Sequence, residues 1–141
     1  MTVEVNYLAV IVAAVISMVL GYVWYGALFG KQWISMMKFT PEAMAEARAK
    51  GMGKTYALMF VGSLVMSYVL WHTIVFAIGF TQTSGAMTGV STGFWMWLGF
   101  IAPVTLGSVL WEGKPWRLWI LNIGYYLVTL VATGDILAAW M

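Results

Sequence analysis

The stretch Tyr7–Phe29, YLAVIVAAVISMVLGYVWYGALF, contains no charged residue, and Lys31 follows almost at once. A helix of about 20 apolar residues crosses the hydrocarbon core of a bilayer, so this run is long enough to span. The apolar core of a cleaved signal peptide covers about 7–15 residues and sits behind a basic segment. No Lys or Arg precedes Tyr7, so the segment is expected to be retained. Three more runs of similar length follow, at about 56–80, 89–111 and 116–140. The second has no Asp, Glu, Lys or Arg and one histidine, His72. Glycines interrupt all four, but glycine is frequent in membrane helices. The alternating strand pattern of outer-membrane barrels is absent. The expectation is an all-α polytopic membrane protein, a four-transmembrane-helix bundle forming a single domain over residues 1–141.

Composition agrees. The chain is 62% apolar and 9% charged, whereas soluble domains run about 45–50% and about 25%. A soluble globule, a disordered chain and a collagen-like repeat are excluded together. Cysteine is absent, so no disulfide, thiolate nucleophile, zinc–thiolate cluster or iron–sulfur site can form. The single histidine also excludes a haem held by two histidines of one chain.

The basic residues are unevenly placed. Lys31, Lys38, Arg48, Lys50 and Lys54 lie between the first two runs, and Lys114 and Arg117 between the last two. The N-terminal tail, the Thr81–Thr88 loop and the C-terminus carry none. Seven against zero predicts, by the positive-inside rule, that both basic loops are cytoplasmic and both termini outside, with a bacterial inner membrane the natural setting. Trp33, Trp111, Trp116 and Trp140 fall at span ends, where indole rings favour the headgroup level. Trp24, Trp71, Trp95, Trp97 and Trp119 lie deeper and read first as packing residues.

Within the first basic loop, Thr40 suits an N-cap, Pro41 the first helical position, and Gly51 the stop. A short surface helix over about 41–50 follows, with Glu42 and Glu46 early and Arg48 and Lys50 late, matching the helix dipole. Small residues mark packing stripes: Ala9, Ala13, Ser17 and Gly21 at i+4 spacing, Gly26 and Gly30 as a GxxxG pair, Ser63 and Ser67, and Gly85, Gly89 and Gly93. In lipid such residues let backbones approach closely, either inside one bundle or between copies of it. Pro103 is expected to kink the third span.

Ionisable groups inside a membrane are costly and mark candidate sites. His72 lies sixteen residues beyond Tyr56, roughly 24 Å along a helix, and Asp135 nineteen beyond Trp116, roughly 28 Å. The two therefore reach similar depths, where a hydrogen bond would lower the burial cost of each. Glu4 and Asn6 enter near that level. The plainer readings are a neutral histidine bonded to a neighbouring helix and an aspartate at the interface. A second group lies toward the basic loops: Trp24, Tyr25, Asn122, Tyr125 and Tyr126, with Thr105 and Glu112 near. It reads as an aromatic and amide-lined cavity, with Glu112 alternatively paired to Lys114 or Arg117.

Trp24-Tyr25-Gly26-Ala27-Leu28-Phe29-Gly30-Lys31-Gln32-Trp33, following Asn6-Tyr7-Leu8-Ala9, forms one distinctive segment. Leu110-Trp111-Glu112-Gly113-Lys114-Pro115, with Asn122, Gly124-Tyr125 and Gly134, forms another. Together they resemble the uncharacterised bacterial membrane proteins of the domain-of-unknown-function family seventeen-sixty-one. The resemblance covers nearly the whole chain. It implies four spans without an assigned activity, and raises the aromatic group and Glu112 as candidates.

The expected function is non-enzymatic: a bundle that binds or moves a small hydrophobic or cationic ligand, as a homo-oligomer in the lipid bilayer. Small multidrug transporters have a similar size, but they use a glutamate within the first span, and this one has no charge. A structural or accessory subunit of a membrane complex is the alternative. No HExxH, serine–histidine–acid or phosphate-loop spacing is present. No catalytic residue, metal site or cofactor is therefore assigned, and no nucleic-acid partner is expected.

Overall fold

The computed structural model describes residues 2–141. The chain is 83% helical, and four stretches are long and apolar enough to cross a membrane: Tyr7–Leu28, Gly53–Thr81, Ala86–Leu110 and Trp116–Ala139. The first is not one regular helix. Helix α1, Tyr7–Tyr22, is capped by the Asn6 side chain, which accepts from the Ala9 amide at 3.2 Å. It passes into a π-helical turn, Val23–Leu28, and then into α2, Gly30–Met37. Lys38 closes α2 in the left-handed region at φ 57°.

Helix α3, Pro41–Lys50, is the surface helix anticipated from the loop sequence. Thr40 Oγ1 accepts from the Ala43 amide at 3.1 Å, and Gly51 ends the helix at φ 84°. Glu46 and Lys50 form its i,i+4 ion pair at 3.1 Å. Helix α4, Gly53–Thr81, begins three residues ahead of the apolar run because Lys54 and Thr55 sit in its first turn. Its 29 residues extend roughly 43 Å, more than the hydrocarbon core requires.

The third span is broken. Helix α5, Ala86–Phe100, stops at Ile101, two residues before Pro103, and continues as α6, Ala102–Thr105, and α7, Gly107–Leu110. Proline removes an amide donor and crowds the preceding turn, and the Thr105 hydroxyl donates to the Ile101 carbonyl at 2.7 Å across the break. Helix α8, Trp116–Ala139, is continuous.

Around the bundle the order is α1, α4, α5, α8, so α4 and α8 face one another across it. The core comprises Ala9, Val10 and Ala13 of α1, Leu70, Trp71 and Ile74 of α4, and Leu130, Leu137 and Ala138 of α8. The small-residue stripes are used inside the chain. Ala9, Ala13 and Ser17 are fully buried facing α4 and α8, and a Cβ on Gly89 or Gly93 would overlap the carbonyls of Gly134 or Leu130. Gly21 sits beneath the Tyr125 hydroxyl. The GxxxG pair needs correction. Gly26 is exposed with nothing within 4 Å, and a Cβ on Gly30 would meet its own chain's Tyr25 carbonyl at 3.0 Å. Gly26 lies within the π turn and Gly30 just beyond it, so the turn's wider winding breaks the regular i+4 face that the motif requires.

Candidate functional site

The seven basic residues all lie at one end of the bundle, in α2 and its cap, α3, the start of α4, the α7–α8 turn and the first turn of α8. Glu4, in the extended segment ahead of α1, and Asp135, near the end of α8, lie toward the opposite end, which carries no Lys or Arg. We term these the basic end and the acidic end.

Toward the basic end, the π turn directs two consecutive rings onto α8. Trp24 Nε1–H donates to the Leu121 carbonyl at 3.1 Å, and the Tyr25 hydroxyl donates to Asn122 Oδ1 at 2.8 Å. Neighbours in a regular helix point about 100° apart, so the extra residue of the π turn is what lets both reach one partner. Tyr125 is buried and its hydroxyl donates to the Ser17 carbonyl at 3.0 Å. Tyr25 meets Tyr125 at 5.2 Å and Trp33 at 5.4 Å edge to face, and Tyr125 and Tyr126 lie tilted at 5.0 Å. Trp97 Nε1–H donates to the Ile123 carbonyl at 2.7 Å, and Trp119 Nε1–H to Thr105 Oγ1 at 3.2 Å. The grouping of Trp24, Tyr25, Asn122 and Tyr125 is thus real. Its polar tips are engaged with one another and with backbone, so it works as an interhelical lock. Glu112 stands apart, exposed in the α7–α8 turn, with no ion pair to a described residue.

His72 and Asp135 are not brought together. His72 Nδ1 lies 2.9 Å from the Tyr68 carbonyl, one turn back in its own helix, and its ring lies tilted against Tyr68 at 4.4 Å. A carbonyl only accepts, so Nδ1 carries the hydrogen. Asp135 is exposed on α8. Neither side chain forms an ion pair with a described residue.

The acidic end holds a cleft of about 510 Å³ lined by Glu4, Val5, Asn6, Trp71, Val75, Ile78, Trp140 and Met141. The extended segment before α1 forms one wall. Trp71 Nε1–H donates to the Glu4 carbonyl at 3.0 Å, fixing both that segment and the indole. Sequence reading placed Glu4 and Asn6 at this level but treated Trp71 as packing and Trp140 as an interfacial anchor. The missed signal is that Trp71, inside the second span, and Trp140 both lie toward the same end as Glu4. Among the described residues, no three His, Asp or Glu side chains group as a metal site requires.

Fold and site together define a four-span α-helical membrane protein with an acidic, tryptophan-lined cleft at one end and an aromatic lock at the other. The chain belongs to a family described as protein of unknown function (DUF1761), whose model matches residues 8–138. Searches of the curated proteins and of the solved structures found no match.

Proposed function

We propose that this protein binds a small organic cation or cationic amphiphile in the cleft at its acidic end, without catalysing a reaction. The observation that carries this reading is the meeting, in one cleft of about 510 Å³, of Glu4 with the edge of the buried Trp71 and with the exposed Trp140. Small-molecule sites span about 300–1,000 Å³ and combine apolar walls with a few polar groups. Indole faces attract cations, and no basic side chain stands at this end to oppose one. The seven-to-zero bias supports an orientation with the basic end in the cytoplasm of an inner membrane and the cleft open to the outside. The site is then reached from the external medium or the outer leaflet.

Isothermal titration of tetraphenylphosphonium into the protein in lipid nanodiscs tests this. Saturable binding is expected, weakened about tenfold by Glu4→Gln and by Trp140→Ala, the loss of one charge or cation–π contact. Glu112→Gln, at the other end, should leave it unchanged. Equal binding by Glu4→Gln, or none by the unaltered protein, overturns the reading and favours an accessory role.

A further inference from the structure

His72 and Asp135 are ionisable residues within spans, and both face away from the bundle. The inner face of α4 is set by Ser63, Ser67, Leu70, Trp71 and Ile74. At about 3.6 residues per turn, His72 falls on the far side, with the exposed Val65, Val69 and Phe76. The inner face of α8 is set by Tyr125, Thr129, Leu130, Thr133, Gly134, Leu137 and Ala138. Asp135 falls opposite, in line with the exposed Val128 and Ala139. Because α4 and α8 face one another across the bundle, the two residues look out from opposite flanks.

Their depths are similar. Val75 and Trp140 line one cleft, so the two helix segments overlap in depth. His72 lies three residues below the first and Asp135 five below the second, roughly 4.5 and 7.5 Å down their helices. His72 Nδ1–H is committed to the Tyr68 carbonyl, which leaves Nε2 to carry the proton shared with a carboxylate of an outside partner. Intramembrane ionisable side chains generally face protein or water rather than lipid.

We propose that these flanks meet between copies of this chain, His72 of one copy pairing with Asp135 of the next. Copies inserted in the same direction keep both residues at similar depth, so the pair forms without tilting either bundle. Two different faces make the contact heterologous, and repetition builds a ring or a row. Charge complementarity at similar depth selects a second copy over lipid, which offers hydrocarbon at this level. The inference is independent of the cleft reading.

The chain lacks cysteine, so introduced thiols are the only ones present. His72→Cys and Asp135→Cys variants carrying different tags are co-expressed, and native membranes are treated with a short bismaleimide. The expected product is a mixed-tag dimer, absent when either variant is expressed alone, and the double variant should give a ladder. Cross-linking of one variant with itself in place of the mixed product overturns the proposal, as does no product from protein that purifies monodisperse. Without cross-linker, mass photometry in nanodiscs should show Asp135→Asn shifted toward monomer. The exchanged variant, His72→Asp with Asp135→His, should recover the assembly. Unchanged mass for Asp135→Asn, or no recovery on exchange, counts against it.

Discussion

The two ends of α8 are held by opposite means. Toward the acidic end, α8 meets α5 backbone to backbone: Gly134 lies against Gly89, and Leu130 against Gly93, with no room for a side chain between them. Toward the basic end, α8 meets the π turn through rings, with Trp24 and Tyr25 reaching the Leu121 carbonyl and Asn122. The first contact is built by leaving atoms out, so any added atom must move a helix. The second is built by inserting atoms whose polar tips find single partners, so removing one tip costs one bond. Lipid does not drive helices together by hydrophobic burial, and packing and hydrogen bonds must suffice. This chain uses one at each end.

The contrast predicts a graded series. Gly134→Val should cost the most, about 3 kcal/mol or more, because its side chain would enter the Gly89 carbonyl and no flexible neighbour can yield. Denaturation with sodium dodecyl sulfate, followed by circular dichroism, reads it. Trp24→Ala removes both a ring and an interhelical bond and should cost about 2–3 kcal/mol in the same titration, somewhat below the Trp→Ala range of soluble cores. Tyr125→Phe keeps the ring and loses only the bond to Ser17, worth about 1 kcal/mol. A loss from Tyr125→Phe as large as that from Gly134→Val would break the contrast. Gly26→Ala should be silent within about 0.5 kcal/mol, since nothing lies near it. Glu46→Gln in α3 should be smallest, a few tenths of a kcal/mol, read as a slight change in thermal unfolding.

Much of this was legible beforehand, because it is local. The four apolar runs, the Thr40 cap and the Gly51 stop each depend on a few neighbouring residues, and all appear in the structure. The π turn was not legible. Reading Gly26 and Gly30 as a motif assumes a regular helix, and one inserted residue moves them off a common face. Helix rotation is partly legible. Ser63 and Ser67 already mark the inner face of α4, and counting by turns from them puts His72 outside. The cleft depends on an extended segment folding back along α4, a tertiary event that no local pattern announces. The aromatic grouping of Trp24, Tyr25, Asn122 and Tyr125 follows from depth alone, but its closure by mutual bonds depends on how the helices are rotated.

That extended segment has a further consequence for the bilayer. The amides of Val3, Glu4 and Val5 donate to no backbone carbonyl among the described residues, while Val3 and Val5 lie against the core. Hydrocarbon cannot satisfy bare amides, so water is expected to follow the peptide where it runs beside Val75 and Gly79. The acyl chains bordering this flank should be shorter in effective reach and less ordered than those around α5. A local thinning of that leaflet, a dimple travelling with the protein, is the expected outcome.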